Sequence, residues 1–173
     1  MSNNLDDILG RGEFSKKKRI NSRQKGNAFE RKMVHVLNER FDTKEFARTP
    51  GSGAFATTHK NLPEHLKIHG DLITPKDFKF AIECKSGYTV EFDDPFRKNS
   101  EISDFINQAK RDADLAEKDW MVIYKKTRRT TLVIVGESYP VHRRMEINGE
   151  YFVYPLEDFL RLENAHFFQE SQA

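Results

Sequence analysis

A turn at Pro75, Lys76 and Asp77 divides the segment GDLITPKDFKFAIECKS, Gly70 to Ser86, into two extended runs. In the second run Phe78, Phe80, Ile82 and Cys84 alternate with Lys79, Ala81, Glu83 and Lys85, the period of a strand with one apolar face. A β-hairpin follows, and it places Asp71 beside Glu83 and Lys85 while the apolar face of the same strand enters a core. Two carboxylates and one ammonium then converge. Such a set suits phosphodiester hydrolysis. Mg²⁺, or Mn²⁺ in its place, takes carboxylate oxygens, keeps several waters, bridges a phosphate oxygen and lowers the pKa of an attacking water. The lysine can orient or help deprotonate that water and offset charge building on the phosphorane. E-x-K on a strand is by itself ordinarily a solvent-facing charge pair. The Gly70-Asp71 step at hairpin distance and a glutamate upstream make this one a candidate site.

With 173 residues, 37% hydrophobic and 32% charged, the chain reads as one compact soluble domain with tails, large enough for a real core. No apolar run approaches the length of a membrane span, and no signal peptide opens the sequence. The single cysteine, Cys84, excludes an internal disulfide and a multi-cysteine zinc site. A reducing cytoplasm is the expected location, that of the host cell if the source is viral.

Residues 1–24 read as a basic arm. Arg11, Lys16, Lys17, Lys18, Arg19 and Arg23, with Lys25 just beyond, face only Asp6, Asp7 and Glu13, although the whole chain is net +2. A basic segment poor in apolar residues seeks phosphates or simply solubilises. From Ser22 or Lys25 to Phe41 the periodicity predicts a helix with Phe29, Met33, Val36, Leu37 and Arg40/Phe41 inward and Asn21 or Ser22 as cap. Glu30, at the edge of that stripe, is either helix surface paired with Arg31 or Lys25, or a third inward carboxylate.

Thr43–Thr49 is predicted as a short strand with Phe46 and Ala47 inward. The long loop after it begins Pro50-Gly51-Ser52-Gly53, where small residues let backbone N–H groups approach a phosphate, with Arg48 at its entry. The loop also reads as a plain connection around a helical turn at 62–66. His65 and His69 are spaced for zinc on a helix and suggest a rival histidine-metal nuclease, but Pro63 and Gly70 break such a helix; with His59 they are taken as surface or DNA-facing residues. After a polar connector, 88–96, a helix from Ser100 or Ser103 to Lys118 carries Ile102, Phe105, Ile106, Ala109, Ala113 and Ala116 in one stripe, with Gln108 on its shoulder. Trp120–Tyr124 and Thr130–Val135 read as strands completing a mixed sheet, joined by a turn bearing Lys125, Lys126, Arg128 and Arg129. Met145–Tyr154 reads as a hairpin about Asn148-Gly149, followed by a short helix at 156–162 and a polar tail, 166–173.

Four pieces in order, Lys25-Gly26 with Phe29-Glu30-Arg31, Arg48-Thr49-Pro50-Gly51-Ser52-Gly53, Gly70-Asp71 and Glu83-Cys84-Lys85, resemble the PD-(D/E)xK nuclease superfamily, and within it the archaeal-type Holliday-junction resolvases. The resemblance covers roughly residues 25–125. It implies a single α/β domain at 25–165, a restriction-endonuclease-like mixed sheet flanked by helices, and a metal site of Glu30, Asp71 and Glu83 with Lys85 and Ser52 as further catalytic residues. The expected activity is Mg²⁺-dependent cleavage of four-way or other branched DNA by a homodimer. Lys16, Lys17, Lys18, Arg19, Arg23, Lys25, Arg48, Gly51, Gly53, Lys125, Lys126, Arg128 and Arg129 are the candidate DNA contacts. The hairpin from Met145 onward has no counterpart in the resemblance. Another repair or restriction-type endonuclease, or a DNA-binding module whose carboxylates have lost their metal, are the alternatives.

Overall fold

The computed structural model describes residues 22–50, 69–87 and 101–169. Lys16 to Arg19, the loop of Gly51, Ser52 and Gly53 with His59, His65 and the helical turn expected at 62–66, and the connector 88–96 lie outside those residues, as do the side chains of the candidate caps Asn21 and Ser22.

Helix α1 spans Ser22–Phe41. Strands β1 (Ala47–Arg48), β2 (Leu72–Ile73) and β3 (Phe80–Ser86) follow, then helix α2 (Glu101–Ala116) and strands β4 (Asp119–Lys125), β5 (Thr131–Val135), β6 (Met145–Ile147) and β7 (Tyr151–Pro155). A four-residue helix α3, Leu156–Phe159, and a 3₁₀ turn, Asn164–His166, close the described chain. The seven strands form one mixed sheet in the order β1-β2-β3-β4-β5-β7-β6. Only β3 and β4 run parallel, with α2 in the crossover between them; every other pair is antiparallel.

Strand periodicity sorts the side chains into two layers. Phe80, Ile82, Cys84, Met121, Ile123, Val133, Val135 and Tyr154 point to the α1 side, where Phe29, Met33 and Leu37 meet them. Val122, Tyr124, Ile134 and Val153 point the other way, onto Ile102, Phe105, Ile106 and Ala109 of α2. The α2 stripe is therefore core. The same covering changes β3. Ala81 and Glu83 on its second face are buried along with Phe80, Ile82 and Cys84, because a parallel strand in a crossover unit is roofed on both sides.

Two elements depart from the expectations. Strand β1 keeps only two residues of the seven predicted: the Asn38 side chain bonds both the N–H and the C=O of Phe46, at 3.1 and 3.0 Å, giving that stretch a partner other than a ladder. Phe46 turns inward as expected, but Ala47 is exposed at the sheet edge. The segment assigned to a polar tail from residue 166 begins as core. Phe167 is fully buried, its carbonyl accepts the Lys79 N–H at 2.7 Å, and Phe168 bridges to Phe78. Phe41, Phe46, Phe78, Phe167 and Phe168 make a stacked and edge-on aromatic cluster that ties the end of the chain to α1 and β3. Arg40 closes it from outside, its guanidinium 4.8 Å from the Phe41 ring centroid and bonded to the carbonyls of Leu160 and Leu162.

The β6–β7 hairpin turns as Asn148-Gly149 predicts, both residues at positive φ (54° and 67°), with Glu150 N–H donating to the Ile147 carbonyl at 3.0 Å.

Candidate active site

Gly70 fixes where Asp71 goes. It sits at φ +80°, and a Cβ there would lie 2.8 Å from the Ile82 carbonyl oxygen, so only glycine lets β2 come this close to β3. Asp71 N–H donates to that carbonyl at 2.9 Å, and its own carbonyl accepts the Thr49 N–H at 3.0 Å. Held at both backbone atoms, Asp71 turns its carboxylate onto the Cys84 N–H, 2.8 Å from Oδ2. The hairpin thus brings Asp71 to the strand that carries Glu83 and Lys85.

Glu83 is 2% exposed, and its two oxygens differ in what they meet. Oε1 lies 2.5 Å from Lys85 Nζ and accepts Gln108 Nε2 at 2.7 Å. Lys85 Nζ also donates to Gln108 Oε1 at 2.9 Å, so lysine, glutamate and glutamine form a closed triangle, with Nζ 5.3 Å from the centroid of the Phe105 ring. Among the described residues Glu83 Oε2, which is buried, has no hydrogen-bond partner. A buried carboxylate oxygen left in this way costs about 1–3 kcal/mol or more, so it calls for a proton or a cation.

The electrostatics lead to the same need. Burial, and then the Asp71 charge, push the Glu83 carboxyl up to about 8 despite the adjacent lysine. Burial likewise raises Asp71, with the Glu30 charge adding to it, against the stabilising Cys84 N–H. Two desolvated carboxylates facing each other resist double ionisation, and the pair keeps a proton to a higher pH than either would alone. Oxygen donors, one of them unpartnered, beside a fixed ammonium fit a hard divalent ion that keeps waters and takes one or two carboxylates from the protein. Among the described residues no group of three or more His, Cys, Asp and Glu side chains is drawn together as a metal cage, so the fit is to two carboxylates.

Glu30 stands slightly apart. It is buried (6% exposed) and paired with neither Arg31 nor Lys25. Arg48 Nε meets its Oε2 at 2.7 Å, and Arg48 Nη2 donates to Asn27 Oδ1 at 2.9 Å. The Glu30 charge is nonetheless felt at Asp71. Arg48, expected to face phosphate, points its guanidinium at the α1 carboxylate.

Of the other candidates, Arg23 and Lys25 are exposed on the first turns of α1. Ser52, Gly51 and Gly53 lie outside the described residues. Gln108, noted in the sequence only for its place on the shoulder of the α2 stripe, is the bridge between Glu83 and Lys85, and Asp112, one turn on, was not singled out. The Asp112 carboxyl is raised by burial against the charges of His69, Arg111 and Lys85 and the nearby Gly70 N–H. Their signal is i,i+4 spacing on the shoulder of the apolar stripe, where a polar side chain can face the second side of β3.

Residues 21–156 match the family described as "Phage putative PDDEXK endonuclease". The chain belongs to this nuclease family. The matched span contains Glu30, Asp71, Glu83, Lys85 and Gln108, and also the β6–β7 hairpin, which therefore has its place in the family domain. Among solved structures, Archaeoglobus fulgidus Hjc, a Holliday junction resolvase, is similar at 18% identity and a TM-score of 0.38, over 82% of this chain and 98% of that one. No curated protein sequence matches. Among the described residues no helix is long and apolar enough to cross a membrane.

Proposed function

We propose that this nuclease is a divalent-metal-dependent endonuclease that hydrolyses phosphodiester bonds of branched DNA, four-way junctions in particular, as a homodimer making paired, symmetric nicks. The observation that carries the metal-dependent chemistry is the unpartnered Glu83 Oε2 beside Asp71. In this reading Asp71 and Glu83 hold Mg²⁺, or Mn²⁺ in its place, with Glu30 the third carboxylate of the site. A divalent ion bound there supplies Lewis acidity toward a phosphate oxygen and a more acidic water.

The protein's own groups do the rest. The Cys84 N–H aims Asp71, and Gln108 holds Lys85 Nζ against Glu83 Oε1, so the ammonium is in place before substrate arrives. Lys85 then offsets the charge gathering on the phosphorane and orients the attacking water, a preorganised cation in a site poor in solvent. Ser52 and the glycines beside it are assigned to the phosphate, and the basic arm at 1–24 to the DNA outside the site. The buried thiol of Cys84 suits a reducing cytoplasm, the host's if the source is viral.

Junction selectivity is supported by the order of the four sequence motifs and by geometry. One site cuts one strand, and resolution of a four-way junction needs two matched cuts, which a twofold pair of chains provides. The test is a labelled four-way junction and a linear duplex of the same sequence, each incubated with Mg²⁺ or with EDTA, using wild type and Glu83→Gln. Paired symmetric nicks on the junction that vanish in EDTA and in Glu83→Gln are expected, with junction binding retained in the variant and a dimer in sedimentation. Equal nicking of linear duplex by a monomer would leave a general endonuclease of the same family; cutting in EDTA would remove the metal.

A further inference from the structure

The turn between β4 and β5 ends beside the candidate site. Parallel pairing sets Tyr124 opposite Lys85 and Lys125 opposite Ser86, and the Gly87 N–H donates to the Lys125 carbonyl at 3.1 Å. The chain then turns through Lys126, Thr127, Arg128 and Arg129 before β5 starts at Thr131. Lys125 and Lys126 carry the chain about 7 Å past the level of Lys85, at about 3.3 Å each, before it turns, which keeps Arg128 within roughly 10 Å of Lys85 along the sheet. Successive phosphates of one DNA strand advance about 3.4 Å along the helix axis, so the turn lies within about three phosphate steps of the lysine.

Its conformation is unusual for its composition. Arg129 N–H closes the turn on the Lys126 carbonyl at 3.1 Å, and the Lys125 ammonium bonds the Arg129 carbonyl. Arg128, third in this turn, has φ +59°, whereas Thr127 does not share a positive φ. That is the sign pattern of a type II turn, whose third position calls for glycine or asparagine. An arginine there sets its Cβ against the following carbonyl, a strain glycine would avoid. Arg128 and Arg129 are exposed, no carboxylate occurs from Lys125 to Thr130, and among the described residues neither guanidinium has an ion pair. Folding alone offers no return for a charged, strained side chain at this position.

We infer that Arg128 is a phosphate-contacting residue which grips the nucleic-acid backbone a few nucleotides from the bond being cut, at a position where the fold by itself favours glycine. The inference rests on the nuclease reading of the Asp71–Glu83–Lys85 site. The whole turn presents its positive charge beyond the end of β3, so a duplex whose scissile phosphate meets Lys85 passes over it. Arg128 acts in binding and leaves the reacting atoms to the site.

Binding and stability of Arg128→Gly and Arg128→Asn test this, since both residues accept the turn geometry. Each full-length variant is titrated against a labelled four-way junction in EDTA over a series of salt concentrations, and each is melted without DNA. A junction affinity several-fold weaker, a slope of log affinity against log salt shallower by about 0.9, and a melting temperature equal to or above wild type are expected. Unchanged affinity and slope in a wild type that binds the junction would overturn the inference and leave the nuclease reading intact. A lowered melting temperature in both variants would make Arg128 a structural residue of the turn and equally overturn it. A wild type that binds no DNA would sink both readings together.

Discussion

Removing the charge of Glu83 should stabilise the metal-free protein, and by an amount that grows with pH. In the folded chain its carboxyl is pushed from an ordinary 4.5 up to about 8, chiefly by burial and then by Asp71. Between those values the folded protein keeps a proton that the unfolded chain has released. Stability from this group is therefore complete below about pH 4.5, falls as pH rises, and is gone above about 8. At 1.36 kcal/mol per unit, the window of roughly 3.5 units bounds the loss at about 5 kcal/mol. Asp71 shares the site, so the proton leaves over a wider range, and half that figure, about 2–3 kcal/mol, is the working expectation. For a chain of this size 1 kcal/mol moves the melting temperature by about 2–4 °C, which gives roughly 5–10 °C. The assay is a set of thermal melts of wild type and Glu83→Gln in EDTA from pH 5 to 9. The two should run close at pH 5 and diverge by pH 8, with the variant the more stable; added Mg²⁺ at pH 8 should lift the wild type and leave Glu83→Gln in place. Parallel curves across the whole range would refute the claim that an uncompensated carboxylate pair lies at the site.

Gly70→Ala should lose about 2–3 kcal/mol and cleavage together, because its Cβ would meet the Ile82 carbonyl at 2.8 Å in a left-handed backbone, shifting Asp71; denaturant unfolding and the junction assay report both. Arg48→Ala leaves the buried Glu30 carboxylate with no guanidinium and should cost about 2–3 kcal/mol, whereas adding Glu30→Gln should recover part of it. Additive losses in that double-mutant cycle would show the two residues to be uncoupled. Phe167→Ala should cost about 3–5 kcal/mol by urea unfolding, as expected for a fully buried ring, and a loss below 1 kcal/mol would return the segment to the status of a tail.

What could be read in the sequence was what local pattern encodes. The alternation of Phe78 to Lys85, the Asn148-Gly149 turn and the stripes of α1 and α2 each sit in one short window, and each formed where the periodicity placed it. The aromatic end of the chain was missed because its reason is distant. Phe167 has no periodic partner nearby, and it is buried by Phe41, Phe78 and Phe159 from three other segments. Likewise nothing local shortens β1; Asn38 does so from eight residues upstream.

The candidate site divides in the same manner. Asp71 and Glu83 are separated by a hairpin, so strand geometry alone joins them, and Lys85 follows from a period of two. Glu30, Arg48 and Gln108 come from α1, β1 and α2, whose relative placement is a property of the whole sheet. Each was visible as a residue of the right chemistry, but its partner was not. Arg48 looks like a phosphate contact because it precedes a glycine loop, yet its guanidinium meets a buried carboxylate whose charge would otherwise stand alone. That pairing gives the Glu30 carboxylate a counter-charge of its own, while the raised Asp71 carboxyl owes most to burial, with the Glu30 charge adding to it. Among the described residues uncompensated negative charge therefore gathers between Asp71 and Glu83, and a divalent ion entering there would find two oxygen donors already desolvated and aimed.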